Sequence, residues 1–316
     1  VGDFPGKPLP PGAAVKIAAG APIPHGVVAV RRDDIATAVG EAIRVTGEAR
    51  VQQNLVLAGA RIMDGDRILD NGTELSPRAL GLIAEVGHDK VLARPKPRVV
   101  VASVGDDLVD PGLPLTLIGQ RYDASTVMIA AAARADGAQT FPAGILPADA
   151  DAIASNLGEQ LVRADLVLLN AEADATLIAA LAELGSLEVC RVDGFAAPLA
   201  FGRAGADRVP MLVLPANPVA GYLAYQLFAR PLVEQLGGRQ ASDPERVPAK
   251  LATAVDTDPR SSAILLAHYT GELARPVPIA GEQGAIELAG ANAAILIGPG
   301  TEPIAPQTDV DCWLLS

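Results

Sequence analysis

Four acidic residues are spaced so that folding could bring them to one place. Asp106 and Asp107 follow directly on an apolar run from Arg98 to Val104, while Asp149 and Asp174 each open a helix-like segment after another apolar run. Gathered at one crevice, their carboxylate oxygens would suit Mg²⁺. The same chemistry allows a second reading. Asp is a favoured N-cap whose carboxylate accepts from free helix N–H groups and complements the dipole, so Asp149 and Asp174 also read as caps, and Asp107 also reads as a solvated turn residue. A further candidate is Leu214-Pro215-Ala216-Asn217-Pro218, between the apolar residues 211–214 and an amphipathic segment that closes at Gly237-Gly238. Pro218 suits the first helical position and Asn217 the cap, so free N–H groups beyond the strand would make an anion seat; a merely well-capped turn is the alternative.

These positions need elements to carry them. From Arg98 onward apolar strands alternate with helices: strands at 98–104, 140–146, 165–170, 187–192 and 211–214, helices at 123–136, 149–164, 174–184 and 218–237. Strands that are apolar throughout and alternate with helices predict a doubly wound α/β domain whose parallel sheet is covered on both faces. In such a sheet ligands bind beyond the carboxyl ends of the strands, where Gly105-Asp106-Asp107, Asn170-Ala171-Glu172 and Pro215-Ala216-Asn217 all fall. Before it, residues 1–69 read as short β segments broken by Pro/Gly turns, followed by a helix capped by Ser76 with Pro77 first and Gly87 after it. The prolines of Arg94-Pro95-Lys96-Pro97 mark a boundary. After Gly238 the apolar segments alternate without helical periodicity and predict a small all-β domain. The domains expected are therefore 1–96, 97–239 and 240–316.

Composition narrows the partners. A chain of 316 residues with a formal net charge of −12 lacks the clustered Lys and Arg that a nucleic-acid or anionic-membrane surface requires. No apolar run is long enough to span a bilayer, the N-terminus lacks a signal peptide's pattern, and Cys190 and Cys312 are too few for a disulfide framework, so a cytoplasmic setting is expected. The start at Val1, without Met, leads us to expect a missing leading segment. His25, His88 and His268 stand in separate segments and read as structural or surface residues, and no Ser-His-Asp or Cys-His arrangement is visible. Arg191 and Arg203 flank a Gly-bounded loop and read as surface charge more readily than as phosphate ligands.

The motifs, taken in order, resemble the molybdopterin molybdenumtransferase family, MoeA and the gephyrin E domain. Pro11-Gly12-Ala13-Ala14-Val15-Lys16-Ile17, Ala19-Gly20-Ala21-Pro22-Ile23-Pro24, the stretch Gly72 to Gly87, Val104-Gly105-Asp106-Asp107-Leu108, Gly119 to Ser125 and Leu214 to Pro218 match the family's patterns in order and spacing over nearly the whole chain. The resemblance implies an elongated N-terminal half used for dimerisation, a molybdopterin-binding α/β domain and a C-terminal β-barrel. It also implies a homodimer that inserts molybdate into adenylylated molybdopterin in a Mg²⁺-dependent step, with Asp107, Asp149 and Asp174 as the metal-holding and catalytic set. Pterin-binding residues would then be Gly105, Asp106, Asp123, Asn170, Pro215, Asn217 and Pro218. The chain departs from the pattern where Ala19 replaces Thr, Asp107 replaces Glu, Gly194 and Ala197 replace Lys, and Ala216 replaces Gly. Leu169-Asn170 also runs into Ala171-Glu172 with no Gly-rich phosphate loop between. Two other readings stay open: an impaired paralogue that binds a pterin-type ligand or a partner without turnover, and a generic nucleotide-binding domain.

Overall fold

The computed structural model describes residues 8–32, 36–40, 42–278 and 284–315. It divides into two compact units, one of Val1–Thr73 with Arg78–Ile83, the other of Glu74–Pro77 with Ala84–Ser316. The division falls earlier than the Arg94–Pro97 tract. It also leaves the α/β and C-terminal regions in one unit, because Val219 and Leu223 share a buried cluster with Leu266, Leu288 and Ala294.

In the first unit, β1 (Ala36–Val39) and β2 (Ala42–Val45) form an antiparallel pair. Further backbone bonds hold the turns together, such as Val30 N to Gln53 O at 2.9 Å and Gln52 N to Val28 O at 2.8 Å. Helix α1 (Pro77–Glu85) begins at the expected proline.

The second unit is built on a six-stranded sheet. β3 (Arg98–Val104) enters it from the Pro95/Pro97 tract, which cannot continue a helix. After the short parallel pair β4 (Leu108–Val109) and β5 (Arg121–Tyr122) come α2 (Ala124–Ala135), β6 (Gln139–Leu146), α3 (Ala150–Leu161), β7 (Leu166–Asn170) and α4 (Ala175–Ala182). The antiparallel strands β8 (Gly185–Cys190) and β9 (Leu199–Ala204) follow, and then β10 (Val209–Leu214). The chain continues as one helical run: α5 (Pro218–Ala224), a π-helical turn over Tyr225–Ala229, and α6 (Arg230–Leu236). The order is β6-β3-β7-β10-β9-β8, with β6, β3, β7 and β10 parallel and β9 and β8 antiparallel at one edge.

The wholly parallel sheet expected from sequence is thus corrected to a mixed one. β3 and β7 are buried on both faces, as their unbroken apolar runs require, whereas β8 alternates between half-buried and exposed positions as an edge strand does. Helices cover both faces. Val100, Ala102, Val167 and Leu169 pack with Ile153, Leu157, Leu177 and Leu181 of α3 and α4. Val99, Val101, Leu166 and Leu168 pack with Ile129, Ala133, Tyr225 and Val233 of α2 and the long helical run.

The remaining strands, β11 (Arg246–Leu251), β12 (Ala263–Tyr269), β13 (Leu273–Pro276), β14 (Ala293–Ile297) and β15 (Asp309–Leu314), close into a barrel in the order β11-β13-β12-β14-β15. Its interior holds Ala249, Leu251, Ala267, Ala274, Ala293, Ile295 and Cys312. Closure removes the edges of a domain too small to cover them otherwise. The barrel is not all β, since α7 (Ala285–Ala289), a single turn too short to show helical periodicity, lies between β13 and β14.

Candidate functional site

The carboxyl ends of β3, β7 and β10 come together as expected. Register pairs Ser103 with Asn170 and Asn170 with Leu214, so the three loops leave the sheet side by side. Strand alternation puts Ser103 and Asn170 on the face that carries Val99, Val101, Leu166 and Leu168, under α2 and α5. Ser103 Oγ donates to Asp123 Oδ1 at 2.9 Å and shares a 2.9 Å hydrogen bond with Thr126 Oγ1. Asp123 also caps α2 by accepting from Thr126 N at 3.0 Å. All three residues are buried. Ser103 and Thr126 were not singled out from sequence; the lone polar residue in the run Val99–Val104 was the available signal for Ser103.

Asn170 is the exception within this layer. It is 1% exposed, yet among the described residues neither Nδ2 nor Oδ1 has a hydrogen-bond partner. Burying an amide without partners costs about 1–3 kcal/mol, so an orphan in an otherwise satisfied layer calls for a use. The neighbouring helix comes unusually close. A Cβ at Gly221 would lie 2.8 Å from the Pro215 carbonyl oxygen and 3.3 Å from Asn170 Oδ1, so only glycine lets α5 sit at this depth.

The anion seat at α5 requires a correction. Asn217 Oδ1 accepts from Val219 N at 3.0 Å and Ala220 N at 3.1 Å, and Pro218 has no N–H. The donors that the sequence left free are therefore taken by the cap, and only the field of the helix end remains for an anion. Pro215 is buried where the chain leaves β10.

The proposed carboxylate set is likewise committed elsewhere. Asp149 Oδ1 accepts from Ala152 N at 2.9 Å and Asp174 Oδ1 accepts from Leu177 N at 2.8 Å, so both are N-caps. Asp107 pairs with Arg121 Nε at 2.7 Å, beside the β4–β5 pairing, and Asp106 accepts from Ala148 N at 3.0 Å. Gly105 N donates to Leu146 O at 3.1 Å, which ties the Asp106-Asp107 loop to β6. Among the described residues no three His, Cys, Asp or Glu side chains are grouped to hold a metal ion. Asp107, Asp149 and Asp174 as placed do not fit a shared Mg²⁺, because each carboxylate answers a local donor rather than a common centre.

The lysine substitutions have a structural side. Gly194 has φ +91°, and a Cβ there would meet Ile264 Cγ1 at 2.8 Å. A lysine at 194 would thus face both backbone strain and a clash with the barrel. Arg203 lies on β9 opposite Pro210, at the start of β10 and so at the far end of the sheet from these loops.

Comparison with known proteins gives this arrangement a family. Residues 1–87 match the family described as MoeA N-terminal region (domain I and II), and residues 100–235 match the probable molybdopterin binding domain. The chain belongs to the MoeA family. Molybdopterin molybdenumtransferase 1 of Mycobacterium tuberculosis is 34% identical over 245 residues, 73% of this chain and 55% of that protein. Molybdopterin molybdenumtransferase 2 of the same organism is 28% identical over 327 aligned positions, 98% of this chain and 78% of the relative. The crystal structure of a molybdopterin biosynthesis MoeA protein from Pyrococcus horikosii superposes with a TM-score of 0.84 at 25% identity, covering 99% of this chain and 78% of that one. The chain thus spans little more than half the length of the first of these relatives. The MoeA structural match agrees with the mixed α/β content of the chain and its closed five-stranded barrel.

Proposed function

We propose that this MoeA-family chain acts in molybdenum cofactor biosynthesis, binding molybdopterin or its adenylylated form at the carboxyl ends of β3, β7 and β10 and receiving molybdate there as the second substrate. The observation that carries the reading is Asn170, buried with an unpaired amide among the three loops. Its Nδ2 and Oδ1 offer one donor group and one acceptor, the complement of a pterin's mixed edge. Names of relatives and the matched molybdopterin-binding region support the same class of ligand.

In this reading the roles divide by element. Asn170, whose amide atoms are closed off beneath the helices in the free protein, hydrogen-bonds the pterin once the covering loops part. The helix end at Asn217-Pro218 stabilises an anionic group through its dipole, and through Val219 and Ala220 N–H groups when the Asn217 side chain yields them. Asp123, fixed by Ser103 and Thr126, holds the start of α2 against the same layer. At Gly105 the missing side chain leaves room for the turn itself, since a Cβ there would meet Asp107 Oδ1 at 2.9 Å and Leu108 Cγ at 3.3 Å. Among the described residues the carboxylates of Asp107, Asp149 and Asp174 do not gather to hold Mg²⁺.

We further propose that the chain works as a homodimer in the cytoplasm. Val28, Val51, Val56 and Met63 of the first unit are 65%, 76%, 78% and 61% exposed, an apolar surface that a second copy would cover. Free Cys190 and Cys312 accord with a reducing compartment, and no helix among the described residues is long and apolar enough to cross a membrane.

The test is titration of the purified protein with molybdopterin and with the adenylylated form, with and without molybdate, beside Asn170→Ala. Saturable binding that the variant loses supports the assignment. Equal binding by both proteins would place the ligand elsewhere.

A further inference from the structure

The opposite end of the sheet carries a feature that the pterin reading does not use. A cavity of about 600 Å³ opens where β3, β7 and β10 begin, lined by Arg94, Arg98, Arg203 and Arg208 together with Asp165 and Asp207. Four cations against two anions leave it two charges positive, on a chain whose formal net charge is −12. Val162 and Leu236, where α3 and α6 end, also line it. Two helix C-termini contribute about half a negative charge each, so they neutralise roughly one of the two excess positive charges.

The arginines are not equivalent. Arg98 is committed to Asp165, donating from Nε at 3.1 Å and Nη2 at 2.8 Å while its backbone N donates to the same carboxylate at 2.7 Å. Arg203 Nη1 donates to the Arg208 carbonyl at 3.2 Å, which ties β9 to the hairpin tip. Neither Arg94 nor Arg208 pairs with a carboxylate among the described residues. Arg208 also sits at φ +54°, in the left-handed region, at the last position of a turn closed by Arg208 N to Gly205 O at 3.1 Å. A long charged side chain in a conformation that favours glycine is spent there without an internal partner.

We propose that this cavity is a second anion site, for a compact polyanion of the pyrophosphate class, held by the guanidinium groups of Arg94 and Arg208 with Arg203 behind them. Planar guanidinium forks match pairs of phosphate oxygens, and the cavity exceeds what a single phosphate fills. Asp207 opposes the bound charge and limits affinity. The site is independent of the pterin crevice, which lies at the other end of the strands.

Isothermal titration of the intact protein with sodium pyrophosphate, at two salt concentrations, tests this. Arg94→Ala and Arg208→Gly are each expected to weaken binding roughly tenfold or more, with affinity falling as salt rises. Glycine accepts φ +54°, so Arg208→Gly keeps the turn. Asp207→Asn should tighten binding, and Asn217→Ala, at the crevice, should leave it unchanged. Absence of saturable binding at millimolar pyrophosphate would overturn the proposal. So would wild-type affinity in both arginine variants, or loss of binding in Asn217→Ala alone.

Discussion

At the scale of single residues, Asn170 sets a folding cost against the binding use proposed for it. Replacing it with Leu keeps the approximate shape and removes the unpaired amide, so Asn170→Leu should raise stability by about 1–3 kcal/mol, less any packing mismatch, in urea unfolding. It should abolish molybdopterin binding in the same preparation. A variant that is less stable than wild type would mean that the amide has a partner in the free protein. Asp123 works in the opposite sense. It caps α2 and accepts from the buried Ser103 hydroxyl, so Asp123→Ala removes an acceptor from two donors and should cost about 2–3 kcal/mol, more than an exposed cap such as Asp149. Urea midpoints of Asp123→Ala and Asp149→Ala, compared directly, check the ranking.

At the scale of elements, the run from Pro218 to Leu236 is held near its start and at its middle by different means. Its start depends on the close approach at Gly221, where a Cβ would lie 2.8 Å from the Pro215 oxygen. Gly221→Ala should therefore lift α5 off β10 and cost about 1–3 kcal/mol, although alanine is the better helix former. A stabilised Gly221→Ala would show that the contact gives way freely. Further along, the π-turn places Tyr225 so that its hydroxyl donates to Asp136 at 2.6 Å, while Arg230 approaches the same carboxylate at 3.4 Å. Burial, with the Asp136 hydrogen bond second, pushes the phenol far above its ordinary range, so it remains a donor at every working pH. At the start of β3, Arg98 holds the Asp165 carboxyl below its usual range through hydrogen bonding, the largest influence on it. A depressed carboxyl contributes stability above the ordinary Asp range and loses it as pH falls through the lowered value. Wild type should thus be more stable than Asp165→Asn at neutral pH, with the gap narrowing below about pH 4, read from urea midpoints across pH.

At the scale of the whole molecule, the exposed apolar residues of the first unit lead to an expected dimer. Sedimentation at micromolar concentration should give twice the 32.3 kDa chain mass, and a species of single-chain mass alone would count against the dimer.

Much of this architecture was legible in the chain. Pro77, Asp123, Asp149, Asp174 and Asn217 announced helix starts because capping chemistry is local, and the unbroken apolar runs at β3 and β7 announced a doubly covered sheet because burial on both faces leaves no polar position. The order of motifs likewise carried the family. What sequence left open depended on partners distant in the chain. Whether Asp149 and Asp174 would cap helices or meet at a metal was undecided until folding set them apart, each beside its own N–H donor. The N–H groups at α5 looked free because a sequence does not say which way the Asn217 side chain turns. The β8–β9 edge was missed in part because Leu199–Ala204 gains its identity only by pairing with β10. Asn170 read as the end of a strand and, through the resemblance, as a pterin-binding residue; that its amide is buried and unpaired is a property of the helices packed above it, which only the tertiary structure decides.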